Sequence, residues 1–173
     1  MRADNQLEQI WQTYRTIMDC LKIAKKTIKK GELQLLTETR FAGSAAKESA
    51  VWLQDSQMAS NDFVILNLWA AFERIVIGYA QDKGKKIREQ HPTWFSLSLY
   101  DKYENEVERW KIEDILDMFK KGIDGNLIGD AKNVRKYRNW IAHKNPKKPV
   151  IPVTPEFAYR ILSELMKSIE SIM

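Results

Sequence analysis

Residues 62–80 constrain the fold more than any other segment, because they are apolar on almost every side of a helix. An amphipathic surface helix has a polar face, whereas this segment carries few polar side chains besides Glu73. A helix of this kind lies in the middle of a bundle, where other helices cover it. We therefore expect helix over roughly 45–81, interrupted near Ser60-Asn61-Asp62, with the rest of the chain packed around its second half.

The spacing of apolar side chains predicts further helices along the chain. Three of them end at a residue that stops a helix: 4–30 before Gly31, 99–121 before Gly122, and 127–143 before Asn145-Pro146. A last helix begins at Thr154, where a capping residue is followed by Pro155 at the first helical position.

The segments between these helices predict no strand. Residues 32–44 fit no regular pattern, and residues 91–94 indicate a loop. The chain has only seven glycines and five prolines in 173 residues, which favours long helices over a loop-rich β fold. We predict one all-α domain spanning residues 1–173, a compact bundle of about five to six helices.

The composition of the chain limits the cellular compartments and the binding partners that we expect for it. The single cysteine, Cys20, excludes a disulfide within the chain. No run of about 18 apolar residues indicates a membrane span, and residues 1–8 lack the apolar stretch of a signal peptide. These features lead us to expect a cytoplasmic protein. The net charge of +5 is compatible with binding to nucleic acid, although a solvent-exposed surface rich in lysine also explains it.

The helix at residues 127–143 places a permanent cation on an apolar stripe. On an ideal helix Arg138 lies about 20° from the direction of Leu127, near the centre of that stripe. The apolar members of the stripe are Leu127, Ala131, Val134, Tyr137, Ile141 and Ala142. An unpaired buried cation is costly, and Glu73 is likewise a charge on an apolar helix face, so we predict that Arg138 and Glu73 lie together.

His143 lies in the last turn of the same helix, where the helix dipole favours the imidazolium form. An imidazole that titrates near neutral pH suits proton transfer. The alternative is a surface histidine without a task, which is also the interpretation of His91.

The run Tyr-Arg-Asn-Trp-Ile-Ala-His at residues 137–143 resembles the signature of the HEPN superfamily, Arg-Asn-x-x-x-His at the end of a helix. The upstream run Trp-Ala-Ala-Phe-Glu-Arg at residues 69–74 is similar to an earlier helix of that family, which often bears an acidic residue. The sharp part of the likeness is seven residues long, and the general layout covers about residues 60–170.

This resemblance implies a HEPN-like bundle and a metal-independent RNA endonuclease of toxin–antitoxin or phage-defence type, with neither metal nor cofactor. His143 would move the proton of a ribose 2′-hydroxyl or of the leaving 5′-oxygen. Arg138 would stabilise charge on the scissile phosphate, and Asn139 would orient the phosphate or the imidazole. Glu73 would support the site. Such proteins usually form homodimers, and an antitoxin protein is a further expected partner.

Positive charge close to His143 predicts where RNA phosphates would bind. The residues concerned are Arg135, Lys144, Lys147 and Lys148. One toxin branch of the family carries a tyrosine two residues after the histidine, where this chain has Asn145, so silencing by modification of that tyrosine is not expected here.

Two alternatives stay open at this point. The chain can be a non-catalytic HEPN-like module that binds RNA or a partner protein through the same helix. It can also be an unrelated helical interaction domain, in which Arg138 pairs with Glu73 for packing alone.

Overall fold

The computed structural model describes residues 3–143 and 151–172, and these residues form six α-helices and no strand. The helices are α1 (Ala3–Lys30), α2 (Ala46–Gly84), α3 (Thr93–Val107), α4 (Ile112–Met118), α5 (Gly125–His143) and α6 (Pro155–Ser171). Short 3₁₀ turns follow three of them, at Leu33–Leu36, Lys85–Glu89 and Phe119–Lys121. The prediction of an all-α helical bundle is confirmed.

The second half of α2 forms the centre of the bundle, as its all-round apolar sequence predicts. It contacts α1, α3, α4, α5 and α6. Its fully buried side chains include Ile65, Leu68, Trp69, Phe72 and Val76. By length and hydropathy alone the helical stretch Ala46–Glu89 is long and apolar enough to cross a membrane, a criterion that buried core helices also meet.

The predicted break at residues 60–62 is wrong, because α2 continues through them as a single helix of 39 residues. The Asn61 Oδ1 atom accepts a hydrogen bond of 2.8 Å from the Tyr14 hydroxyl of α1. A tertiary contact of this kind offsets the weak intrinsic helix propensity of Asn and Ser. The end of α1 agrees with the sequence, since Gly31 follows it with a φ of +72° that favours glycine.

The predicted helix at residues 99–121 is two helices, α3 and α4, separated by residues 108–111. Glu108 accepts hydrogen bonds from Arg74 and Gln81 of α2 at 2.8 Å each, and these bonds join the chain to α2 where α3 ends. Beyond the break, Ile112, Ile115 and Leu116 turn into the core. The start of the helix also differs from the prediction, because α3 begins at Thr93, inside residues 91–94, which were predicted to form a loop.

The two C-terminal helices follow the sequence closely. α5 begins at Gly125 and ends at His143, close to the predicted 127–143. At the start of α6, Thr154 Oγ1 accepts a hydrogen bond of 3.2 Å from the Phe157 amide, and Pro155 occupies the first helical position. The spacing of α6 predicts a core face of Phe157, Ile161, Leu165 and Ile169. The last three are buried and Phe157 is half-buried, and the helix packs against α1, α2 and α5.

Candidate functional site

α5 carries the candidate site, and its buried face fixes which way the motif residues point. Ile128, Ala131, Val134 and Ile141 are buried against α2 and α6. Ala142 was expected on this face but is exposed, one residue before α5 ends, where no described helix covers it. The last turn of α5 is therefore a surface, while the preceding turns belong to the core.

Arg138 lies half-buried on α5, and its guanidinium is only partly satisfied. Its Nη1 donates a hydrogen bond of 3.0 Å to Asn139 Oδ1. Its Nε is buried and has no hydrogen-bond partner. Among the described residues no carboxylate forms an ion pair with Arg138.

Arg138 and Glu73, which we predict to lie together as a pair, therefore form no ion pair in the structure. Glu73 Oε2 instead accepts a hydrogen bond of 3.2 Å from Trp69 Nε1, four residues earlier on the same helix. Glu73 is half-buried, so solvent and one indole N–H together satisfy its carboxylate. A periodicity argument identifies two charges on apolar faces, but it does not exclude a local partner one helical turn away.

The arrangement leaves a cation with unused hydrogen-bonding capacity at the edge of the core. A buried donor without a partner costs about 1–3 kcal/mol. A guanidinium that is partly desolvated and not neutralised by a carboxylate is suited to an anion, because its N–H groups match carboxylate or phosphate oxygens. Asn139 is half-buried beside it, and its Nδ2 has no partner among the described residues.

His143 is the last residue of α5, and its side chain is exposed. Among the described residues no side chain or backbone group forms a hydrogen bond with its ring. The imidazole is therefore accessible to a ligand, and no described contact selects its tautomer.

Two aromatic side chains within the motif were not among the predicted site residues. Tyr137 and Trp140 stack with ring centroids 5.7 Å apart and planes 16° from parallel. The Trp140 Nε1 atom is buried without a partner, as is the Arg138 Nε. Burial, and secondly the Asp62 carboxylate, raise the pKa of Tyr137 above 10.0, so its phenol is neutral at pH 7. Their spacing of three residues was the available signal.

Of the four basic residues predicted to bind RNA, only Arg135 lies among the described residues. Arg135 forms an ion pair of 2.5 Å with Glu113 of α4, and both side chains are about two-thirds or more buried. Arg135 therefore supports the packing of α4 on α5, whatever else it binds. Lys144, Lys147 and Lys148 lie outside the described residues.

Comparison with known proteins adds no relative. No family model, no curated protein and no solved structure matches this chain. Among the described residues, no group of three His, Cys, Asp or Glu side chains is arranged to hold a metal ion.

Proposed function

We propose that this chain is a metal-independent RNA endonuclease of the HEPN type, acting as a toxin or phage-defence ribonuclease in the cytoplasm. The observation that carries the proposal is the state of Arg138. Its half-buried guanidinium has an unpartnered Nε and pairs with no carboxylate of the described residues, and an exposed histidine follows five residues later. The toxin or defence setting, and an antitoxin partner, rest on the resemblance of residues 137–143 alone.

Cleavage of RNA by its own 2′-hydroxyl requires two proton transfers, one from the attacking 2′-oxygen and one to the leaving 5′-oxygen. The RNA's own 2′-hydroxyl loses its proton to a base and attacks the adjacent phosphorus. The bond from phosphorus to the 5′-oxygen breaks, and that oxygen takes up a proton, which gives a 2′,3′-cyclic phosphate and a 5′-hydroxyl. His143 is proposed for a proton transfer, because its imidazole is exposed and an imidazole nitrogen can accept or donate a proton.

Arg138 is proposed to stabilise the negative charge that grows on the phosphate oxygens during this exchange. Its Nη1 is held by Asn139, so the guanidinium has a fixed direction before RNA binds. A donor fixed in advance near the reacting phosphate lowers the barrier more than one that must reorganise. Asn139 is then a positioning residue for Arg138. Its Nδ2, which has no partner in the described part of the chain, is available to the phosphate.

A homodimer is part of the proposal. Five residues correspond to about 140° around an ideal helix, so Arg138 and His143 leave α5 in different directions. Two α5 helices facing each other across a twofold axis would bring Arg138 of one copy and His143 of the other to one phosphate. The exposed last turn of α5, with Ala142 and His143, offers the surface for such a contact.

The second candidate is a non-catalytic HEPN-like module that binds RNA or a partner protein through the same helix. One observation favours it: among the described residues, none orients the His143 imidazole, whereas a general base is usually held by a hydrogen bond to its second nitrogen. An ordered, unneutralised Arg138 serves phosphate binding without cleavage equally well.

Cleavage of RNA by matched histidine variants distinguishes the two candidates. The chain has two histidines, both exposed: His143 at the end of α5, and His91 in the segment before α3. We expect wild-type protein and His91→Gln to cleave total RNA at equal rates, and His143→Gln to bind RNA without cleaving it. Binding without cleavage by all three proteins would instead support the non-catalytic module.

A further inference from the structure

A cleft of about 700 Å³ lies between α1 and the first half of α2, away from the buried face of α5. The two helices pack closely where Tyr14 of α1 bonds Asn61 of α2, and the cleft lies beside that bond, along the later turns of α1. Ligand pockets for small molecules commonly have volumes of about 300–1,000 Å³. The cleft is therefore large enough for a small organic molecule.

One wall of the cleft is aromatic and apolar. Trp11 stacks on Tyr14 with ring centroids 5.2 Å apart, and on Tyr159 of α6 at 4.8 Å with planes 4° from parallel. Met18 of α1 and the buried Leu53 of α2 continue this wall. A stack of rings held on two sides is a rigid surface against which a flat apolar body packs well.

The rim of the cleft is polar, with an excess of one positive charge. It carries Arg15, Lys22 and Lys25 against two carboxylates, Asp19 and Glu156. Lys22 is neutralised by Asp19, with Nζ and Oδ1 2.9 Å apart. Among the described residues neither Arg15 nor Lys25 forms a hydrogen bond or an ion pair, so both cations are available to an anion.

Two amide side chains complete the rim from α2. Gln54 and Gln57 are exposed and line the cleft opposite Arg15 and Lys25, and no hydrogen bond occupies either amide among the described residues. A small-molecule site usually combines an apolar wall with a few polar groups that converge on it. The wall provides affinity, and the polar groups fix the orientation of the ligand.

From this combination we propose that the cleft binds a small aromatic molecule bearing a single anionic group. The ring system lies against Trp11, Met18 and Leu53. The anionic group, a carboxylate, sulfonate or phosphate ester, contacts Arg15 and Lys25. The proposal involves none of the residues assigned to RNA cleavage, so it holds or fails independently of the ribonuclease.

The probe for the test is 1-anilinonaphthalene-8-sulfonate, which combines a flat aromatic body with one fixed negative charge and fluoresces when shielded from water. Wild-type protein should bind one probe molecule per chain in a saturable titration. Its neutral analogue, N-phenyl-1-naphthylamine, should bind about tenfold more weakly, because a hydrogen bond to a charged group accounts for a change of that order.

Variants of the rim and the wall locate the bound probe. Arg15→Gln and Lys25→Gln should each weaken binding about tenfold. The matched control Lys26→Gln alters an exposed neighbour that does not line the cleft, and it should bind as wild type does. Ala50→Phe adds a ring inside the cleft from an exposed helical position and should abolish binding, with circular dichroism and the unfolding midpoint unchanged.

Three results would overturn the proposal: no saturable binding to wild type, equal binding by Ala50→Phe, or equal affinity of Arg15→Gln and Lys25→Gln with wild type. If Ala50→Phe fails to fold, the two rim variants still decide, because they change exposed side chains only.

Discussion

Arg138 donates its Nη1 hydrogen bond to the side chain of the next residue, Asn139, at 3.0 Å, and not to a carboxylate. Neighbouring residues on a helix do not face each other, so this contact draws both side chains towards one side of α5. The amide fixes the guanidinium without neutralising it. This relationship keeps a full positive charge at the edge of the core.

Replacing Arg138 should separate stability from activity. Arg138→Met should change the free energy of unfolding by less than about 1 kcal/mol, because the lost Nη1–Asn139 hydrogen bond is offset by removal of the buried unpartnered Nε, and no ion pair among the described residues breaks. Urea denaturation measures this change, and RNA cleavage by the same variant should be lost. Lys136→Met, at an exposed position of α5, is the control for both measurements. A loss of about 3 kcal/mol or more, the scale of a broken buried ion pair, would contradict this account of Arg138.

Glu73 should act through Trp69 and not through Arg138. Glu73→Gln keeps a carbonyl oxygen for the Trp69 Nε1 donor, so its unfolding free energy should stay within about 0.5 kcal/mol of wild type. Glu73→Ala leaves the Nε1 donor of Trp69, a residue that is 1% exposed, without its acceptor. This variant should lower the free energy of unfolding by about 1–3 kcal/mol. A loss by Glu73→Gln as large as that by Glu73→Ala would show that the charge matters and that the hydrogen bond does not.

Alkaline pH should destabilise the protein partly through Tyr137. Burial, and then the Asp62 carboxylate, raise the pKa of its phenol above 10.0 in the folded state. The folded state therefore holds the phenolic proton more tightly than the unfolded chain. The corresponding stability is complete below the unfolded pKa near 10 and is lost as pH rises through the folded pKa.

The measurement is urea denaturation at pH 8 and at pH 10.5, with Tyr137→Phe beside wild type. Both proteins should lose stability at the higher pH, because burial also raises the pKa of Tyr14 and Tyr103. The variant should lose less, since it has no phenol at residue 137 to ionise. Equal losses by the two proteins would show that Tyr137 does not contribute.

Mixing two inactive variants tests whether the site is shared between copies. Arg138→Met and His143→Gln should each be inactive alone. If each site takes Arg138 from one copy and His143 from the other, an equilibrated equal mixture should recover about one quarter of wild-type activity, because half of the dimers then hold one intact site of two. Light scattering should show a dimer at micromolar concentration. No recovery in a mixture that does form dimers would place the site within one copy.

The sequence predicted helices better than it predicted where they are interrupted. Regular apolar spacing and local stop signals, such as Gly31 and the Thr154 cap, are properties of neighbouring residues, and the helices that depend on them match. Asn61 within the continuous α2 and Glu108 at the end of α3 form hydrogen bonds with residues 47 and 34 positions away in the chain, Tyr14 and Arg74. Sequence spacing carries no signal for such contacts.

The candidate site shows the same division. Helical geometry placed Arg138 on the apolar stripe of α5 and His143 off that stripe. In the structure Arg138 is half-buried and His143 is exposed. The partner of Glu73 could not be deduced, because Trp69 and Arg138 are both compatible with its position. The cleft rimmed by Arg15 and Lys25 could not be predicted from the sequence, because it forms only where α1 and α2 pack together.

Cleavage of a defined oligoribonucleotide in EDTA is the decisive test of metal-independent cleavage through the 2′-hydroxyl. The substrate carries a cut site mapped with wild-type protein, and a second oligonucleotide differs only by a 2′-deoxyribose on the 5′ side of that bond. We expect wild-type protein to cleave the first oligonucleotide in EDTA, leaving a 2′,3′-cyclic phosphate and a 5′-hydroxyl, and to leave the second intact at that bond. Cleavage that EDTA abolishes, or that continues at the 2′-deoxy position, would contradict this expectation.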